Sequence, residues 1–92
     1  EMLQDYRVSV EKAATDLRQA YRTGQYLAVG SLAHKLKSSS RSVGALALGE
    51  LCADMEQAGK ANDAQALASL MPRFDVELAK VETYLAARHE KQ

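Results

Sequence analysis

Cysteine, proline, phenylalanine and tryptophan are almost missing from this chain: one Cys, one Pro, one Phe and no Trp in 92 residues. A lone cysteine, Cys52, excludes an internal disulfide and gives no reason to place the domain outside the reducing cytosol. A lone proline, Pro72, leaves long stretches without a helix breaker. Net charge is missing too, since twelve basic residues offset twelve acidic ones. No global field therefore draws the chain to nucleic acid or to an anionic membrane, and electrostatic recognition must be local. No apolar run approaches the ~18 residues of a bilayer-spanning helix. Histidine and carboxylate pairs at zinc spacing are lacking, so no metal site is expected. A glycine-rich phosphate loop is lacking as well, so the chain is not expected to make its own phosphoryl donor.

What is present is 47% hydrophobic and 26% charged, the balance of a globular chain. Its length suits one domain over residues 1–92 with a modest core. Leu3, Tyr6, Val10, Ala13, Leu17 and Ala20 recur at threes and fours, which predicts an amphipathic helix over about 2–22. Thr23-Gly24 ends it, because glycine adopts the left-handed C′ conformation without strain. A second helix follows over about 25–42. Ser42-Val43-Gly44 reads as a turn, with Ser42 or Gly44 able to cap a third helix over about 45–58 that carries Leu48, Leu51, Cys52 and Met55 on one face. Gly59 stops it. The fourth helix, about 63–88, starts from Asn62 or Asp63 and repeats Leu67, Leu70, Phe74, Leu78, Val81 and Leu85. Pro72 falls inside that pattern and predicts a kink or restart near Leu70. The tail from Arg88, including His89, is expected to fray. Short turns and no strand-like alternation make the expected fold all-α, an antiparallel up-down-up-down four-helix bundle.

The second helix holds the chemistry. At about 100° per residue, Val29, Leu32, Ala33, Leu36, Ser40 and Val43 gather on one side. His34 then points roughly 160° from Leu36, away from the core. Lys37, Ser38 and Arg41 lie three, four and seven residues on along the same face, with Lys35 adjacent. Together Lys35, Lys37 and Arg41 form a local positive site able to neutralise a phosphoryl group. The small side chains of Ser38, Ser39 and Ser40 leave room beside the imidazole and for a neighbouring helix. Leu27 projects within about 20° of His34 two turns earlier, and with Gly30 and Ser31 it makes a low-relief docking patch. A nitrogen nucleophile on the outside of a helix suits catching an anion delivered by another protein. The bland alternative for His34 is an ordinary solvated histidine; Cys52 reads as a packed core thiol, and Glu50, Asp54 and Glu56 read as a solvated acidic face.

Ala33-His34-Lys35-Leu36-Lys37-Ser38-Ser39, then Gly44-Ala45, Leu48, Leu51-Cys52 and Glu56, resemble the histidine phosphotransfer (HPt) domains of two-component phosphorelays. The motif runs from Gly24 through the third helix, and the outer helices match in pattern and length. The resemblance implies a four-helix bundle that takes a phosphoryl group on His34 from a receiver-domain aspartate and passes it to another receiver. It implies that Lys37 steadies the phosphoryl group and that Ser38 replaces the family's usual glycine, keeping access open or donating a hydrogen bond. It implies no cofactor of the domain's own, with magnesium held by the partner receiver. The domain is expected to be a cytoplasmic monomer with no direct membrane contact and no nucleic-acid partner, either free-standing or the C-terminal module of a hybrid sensor kinase that could tether it to a membrane. The competing readings are a receiver-binding adaptor that never carries phosphate and a purely structural bundle.

Overall fold

Apolar residues three and four apart leave water together most cheaply on one side of a helix, and four segments of this chain do so. The computed structural model describes residues 2–42 and 44–90, with side-chain surroundings for 7–42 and 44–84. The helices are α1 (Met2–Arg22), α2 (Tyr26–Ser42), α3 (Leu46–Lys60) and α4 (Ala64–Glu90). They form an antiparallel bundle. Its core is filled by Leu17, Val29, Leu36, Leu48, Met55, Leu67, Phe74 and Leu78, each all but removed from solvent. Ala14 and Met71 join them, two positions that the sequence periodicity passed over. Leu3, Tyr6, Val43, Leu85 and His89 lie outside the described side chains.

The turns follow from local chemistry. Gly24 and Gly44 both have positive φ, 78° and 83°, which any side chain would strain. Asp63 caps α4 by accepting the Ala66 N–H on Oδ1 at 3.1 Å. The start of α3 differs from expectation: its N-cap is Ala45, without a side-chain hydrogen bond. Ser42 turns its hydroxyl back instead, donating to the Ser38 carbonyl at 3.0 Å.

Pro72 causes no restart, and α4 continues as one helix from Ala64 to Glu90. Buried Leu67, Met71, Phe74 and Leu78 seat both halves on one core. Ala68 and Pro72 face water, so the hydrogen bond that proline removes is lost on the solvent side, where water can satisfy the carbonyl. Arg18 ties α1 to α4, donating from Nε and Nη2 to Asp75 Oδ1 at 3.0 and 2.8 Å. Its guanidinium lies over the Phe74 ring, 5.9 Å from the centroid.

Helices α2 and α3 meet most intimately, and glycines make this possible. A β-carbon on Gly59 would sit 2.5 Å from the Gly30 nitrogen and 2.7 Å from the Tyr26 carbonyl oxygen. The two backbones therefore touch where α3 approaches the first turns of α2. That crossing places the last turns of α3 beside His34.

Candidate functional site

Because Val29, Ala33, Leu36 and Ser40 commit one face of α2 to the core, His34 is carried outward, with 58% of its side chain exposed. The ring is nevertheless not free. Its Nδ1 donates to Oε2 of Glu56, 2.9 Å away on α3. Glu56 is buried, its side chain only 7% exposed, and it gathers two ammonium groups as well. Lys37 Nζ donates to Oε1 at 2.6 Å, and Lys60 Nζ lies 3.1 Å from Oε2. One carboxylate thus binds a histidine, a lysine from α2 and a lysine from its own helix.

These contacts fix the protonation state of the carboxyl group. Hydrogen bonds from Lys37 first, then from Lys60, outweigh the opposing effect of burial and, with a smaller contribution from His34, lower the Glu56 pKa from 4.5 to about 2. An ionised carboxylate only accepts hydrogen bonds, so Nδ1 of His34 must carry the proton. In the neutral imidazole the lone pair then belongs to Nε2, which has no protein partner among the described residues. The arrangement presents one defined nitrogen nucleophile to solvent.

The lowered pKa makes acid a specific perturbant. The unfolded chain takes up the Glu56 proton near 4.5, while the folded chain resists it down to about 2. Stability from this carboxylate is therefore complete above the unfolded value and drains away as pH falls through that window. In urea denaturation, wild type is expected to lead Glu56→Gln at pH 6 and to lose that lead towards pH 2. A gap independent of pH would mean that Glu56 titrates normally in the folded protein.

The other expected site residues divide. Leu27 is 64% exposed, and Ser31, Lys35 and Ser38 also face solvent on α2. Arg41 is exposed, but its Cγ leans over Gly49 of α3, two turns beyond His34. Gly30 is corrected: it is buried against Glu56, Gly59 and Lys60, so it spaces the helices and offers no surface to a partner. Glu56 is corrected too. It does not belong with Glu50 and Asp54 on a solvated face, because it shares the inner face of α3 with Cys52, one turn earlier. Lys37 is only 20% exposed and is turned to Glu56, closer to the core than expected. Cys52 is a core residue, its thiol pushed up to about 12 by burial, with the Lys37 charge pulling weakly the other way. Lys60 is not among the residues the sequence marks, since a lone lysine ahead of a turn carries no signal until Glu56 is known to be inside.

Among the described residues no helix is long and apolar enough to cross a membrane. None of the curated proteins compared with the chain matches it. The fold matches the crystal structure of histidine-containing phosphotransfer protein B from Pseudomonas aeruginosa PAO1, with a TM-score of 0.91 at 22% identity. That match covers 98% of this chain and 78% of the other. The family model described as Hpt domain matches residues 1–87. With nearly the whole length matched, the chain belongs to the Hpt-domain family, whose role is histidine phosphotransfer in phosphorelays.

Proposed function

We propose that the domain accepts a phosphoryl group on Nε2 of His34 from the aspartyl phosphate of one receiver domain and gives it to the aspartate of another. The observation that carries this reading is the exposed imidazole whose Nδ1–H is fixed by a buried, ionised carboxylate. In the transfer, the Nε2 lone pair forms the N–P bond as the aspartyl O–P bond breaks. The departing carboxylate keeps the electron pair. Nδ1 retains its proton, so the ring becomes cationic, and its new charge faces Glu56. No general base is needed. Onward transfer is the reverse, with neutral imidazole released as the N–P bond breaks. Phosphoryl transfer depends mainly on in-line positioning and charge neutralisation, which a rigid helix and nearby cations can supply. The metal ion and the acidic pocket are the receiver's part.

Lys35 and Arg41 add positive charge along the approach of an anionic aspartyl phosphate, and Ser38 keeps the space beside the ring small and polar. Leu27 and Ser31 offer the flat ground on which a receiver would rest. One transfer experiment tests these roles together. Phosphorylated receivers from a panel are mixed with wild type, His34→Gln and Leu27→Asp, all three first shown equally helical by circular dichroism. Wild type is expected to take an acid-labile, base-stable label and His34→Gln none. Leu27→Asp should be labelled about tenfold more slowly, because docking weakens without loss of a core contact. Label on His34→Gln would move the acceptor elsewhere. Receiver binding without any label would favour a binding-only adaptor, and an unaffected Leu27→Asp would remove that residue from the docking surface.

A further inference from the structure

The two lysines on Glu56 are not equivalent, and the difference bears on what happens once His34 is loaded; this inference rests on the carrier reading above. Lys37 is 20% exposed and has Oε1 to itself at 2.6 Å. Lys60 is 67% exposed and reaches Oε2 at 3.1 Å, an oxygen that already accepts from His34 Nδ1 at 2.9 Å. Because Lys60 and His34 share that oxygen, the ammonium cannot be farther from Nδ1 than these two contacts laid end to end. A flexible, mostly solvated cation therefore stands beside the imidazole, on the α3 side.

Loading His34 changes the balance of charge around Oε2. Before transfer, one carboxylate faces two ammoniums and a neutral ring. Afterwards the ring is cationic and holds Oε2 more strongly, and it repels the ammonium at the same oxygen. A phosphoryl group carrying about two negative charges has meanwhile appeared on the other ring nitrogen. We propose that Lys60 is the mobile cation of the site: it leaves Glu56 for the phosphoryl oxygens when His34 is phosphorylated, while Lys37 stays and holds the carboxylate. Lys37 is the poorer candidate to move, since its departure would strip Oε1 of its donor and swing a mostly buried ammonium outward. Lys60 gives up only a shared, solvated contact. The phosphoryl group would then be approached by cations from two helices, Lys35 and Arg41 of α2 on one side and Lys60 of α3 on the other.

Phosphoramidate serves as the probe, since it phosphorylates histidine with release of ammonia and removes receiver docking from the measurement. Wild type, Lys60→Ala and Lys60→Arg are treated with it, with His34→Gln as the variant expected to stay unlabelled, and the lysine ammonium resonances of wild type are followed by NMR. Loading should shift the Lys60 Nζ signal and leave that of Lys37 nearly in place. Lys60→Ala should load about tenfold more slowly, the loss of one charge-assisted hydrogen bond to the transferred group, with only a small loss of thermal stability because Lys37 still holds the carboxylate. Lys60→Arg should recover most of the rate. A labelled wild type with an indifferent Lys60→Ala, or a Lys37 signal that moves while Lys60 stays, overturns the role given to Lys60 and leaves the carrier reading intact. A folded wild type that takes no label from phosphoramidate or from any receiver overturns the carrier reading, and this inference with it.

Discussion

Gly59→Ala is expected to destabilise the bundle by about 2–3 kcal/mol, lowering its melting temperature by about 10–20 °C. The added methyl would meet the Gly30 nitrogen at 2.5 Å, its Cα at 2.6 Å and the Tyr26 carbonyl oxygen at 2.7 Å. All three are backbone atoms, so no rotamer change can relieve the clash, and α2 and α3 must move apart. Alanine's better helix propensity returns at most ~1 kcal/mol and does not offset this. Gly30→Ala is the control. Its methyl would meet Glu56 O, Lys60 N and Gly59 C at 3.2–3.4 Å, tight contacts that need a shift of only a few tenths of an ångström. There the propensity gain should nearly balance the strain. Equal melting temperatures for the two variants would show that the helices are not held at this crossing. Gly59 also lies within one turn of Glu56, so its alanine variant should load His34 more slowly even at temperatures where it is folded.

Glu56→Ala is expected to slow phosphoryl transfer about a hundredfold, the usual scale for removing a group that fixes the tautomer and orientation of a reacting imidazole. Three donors lose their acceptor at once: His34 Nδ1, Lys37 Nζ and Lys60 Nζ. Without the carboxylate, nothing obliges the ring to keep its proton on Nδ1, and the Nε2–H tautomer, which has no lone pair at the outward nitrogen, gains population. Glu56→Gln separates the two contributions. Its amide oxygen can still accept from Nδ1–H, so the tautomer should survive while the charge is lost, leaving transfer within about tenfold of wild type. Nitrogen-15 chemical shifts of the His34 ring report the tautomer directly. If they are the same in Glu56→Ala as in wild type, the carboxylate does not position the imidazole.

The residues most easily placed from the sequence were those whose role follows from a single helix. The outward position of His34, the exposed Leu27 and the buried Val29, Ala33, Leu36 and Ser40 all follow from a 100° step along α2. So do Leu48, Leu51, Cys52 and Met55 on α3. What needed a second helix was misread. Glu56 looked solvated because a carboxylate is rarely buried without partners, and its partners Lys37 and His34 lie on α2. Its place one turn after Cys52 is the available clue, since Cys52 falls on the apolar, inner face of the same helix. Gly30 looked like surface because it sits near Leu27 and His34, and only the approach of Gly59 buries it. Pro72 shows the converse: local chemistry asks for a break, and the core residues on both sides of it keep α4 whole.

Among the described residues, the contacts of His34 and its carboxylate partner come from α2 and α3, neighbours in sequence. His34, Lys37, Glu56 and Lys60 span fewer than thirty positions, so the contacts that build the site close only short loops of chain. Short loops cost little entropy to close, and helical proteins dominated by such contacts fold on microsecond to millisecond timescales. The α2–α3 hairpin can therefore nucleate the fold with the carboxylate already beside the imidazole, and α1 and α4 add the remaining walls. Slow folding, where it is observed in a variant, should trace to this hairpin and not to the outer pair.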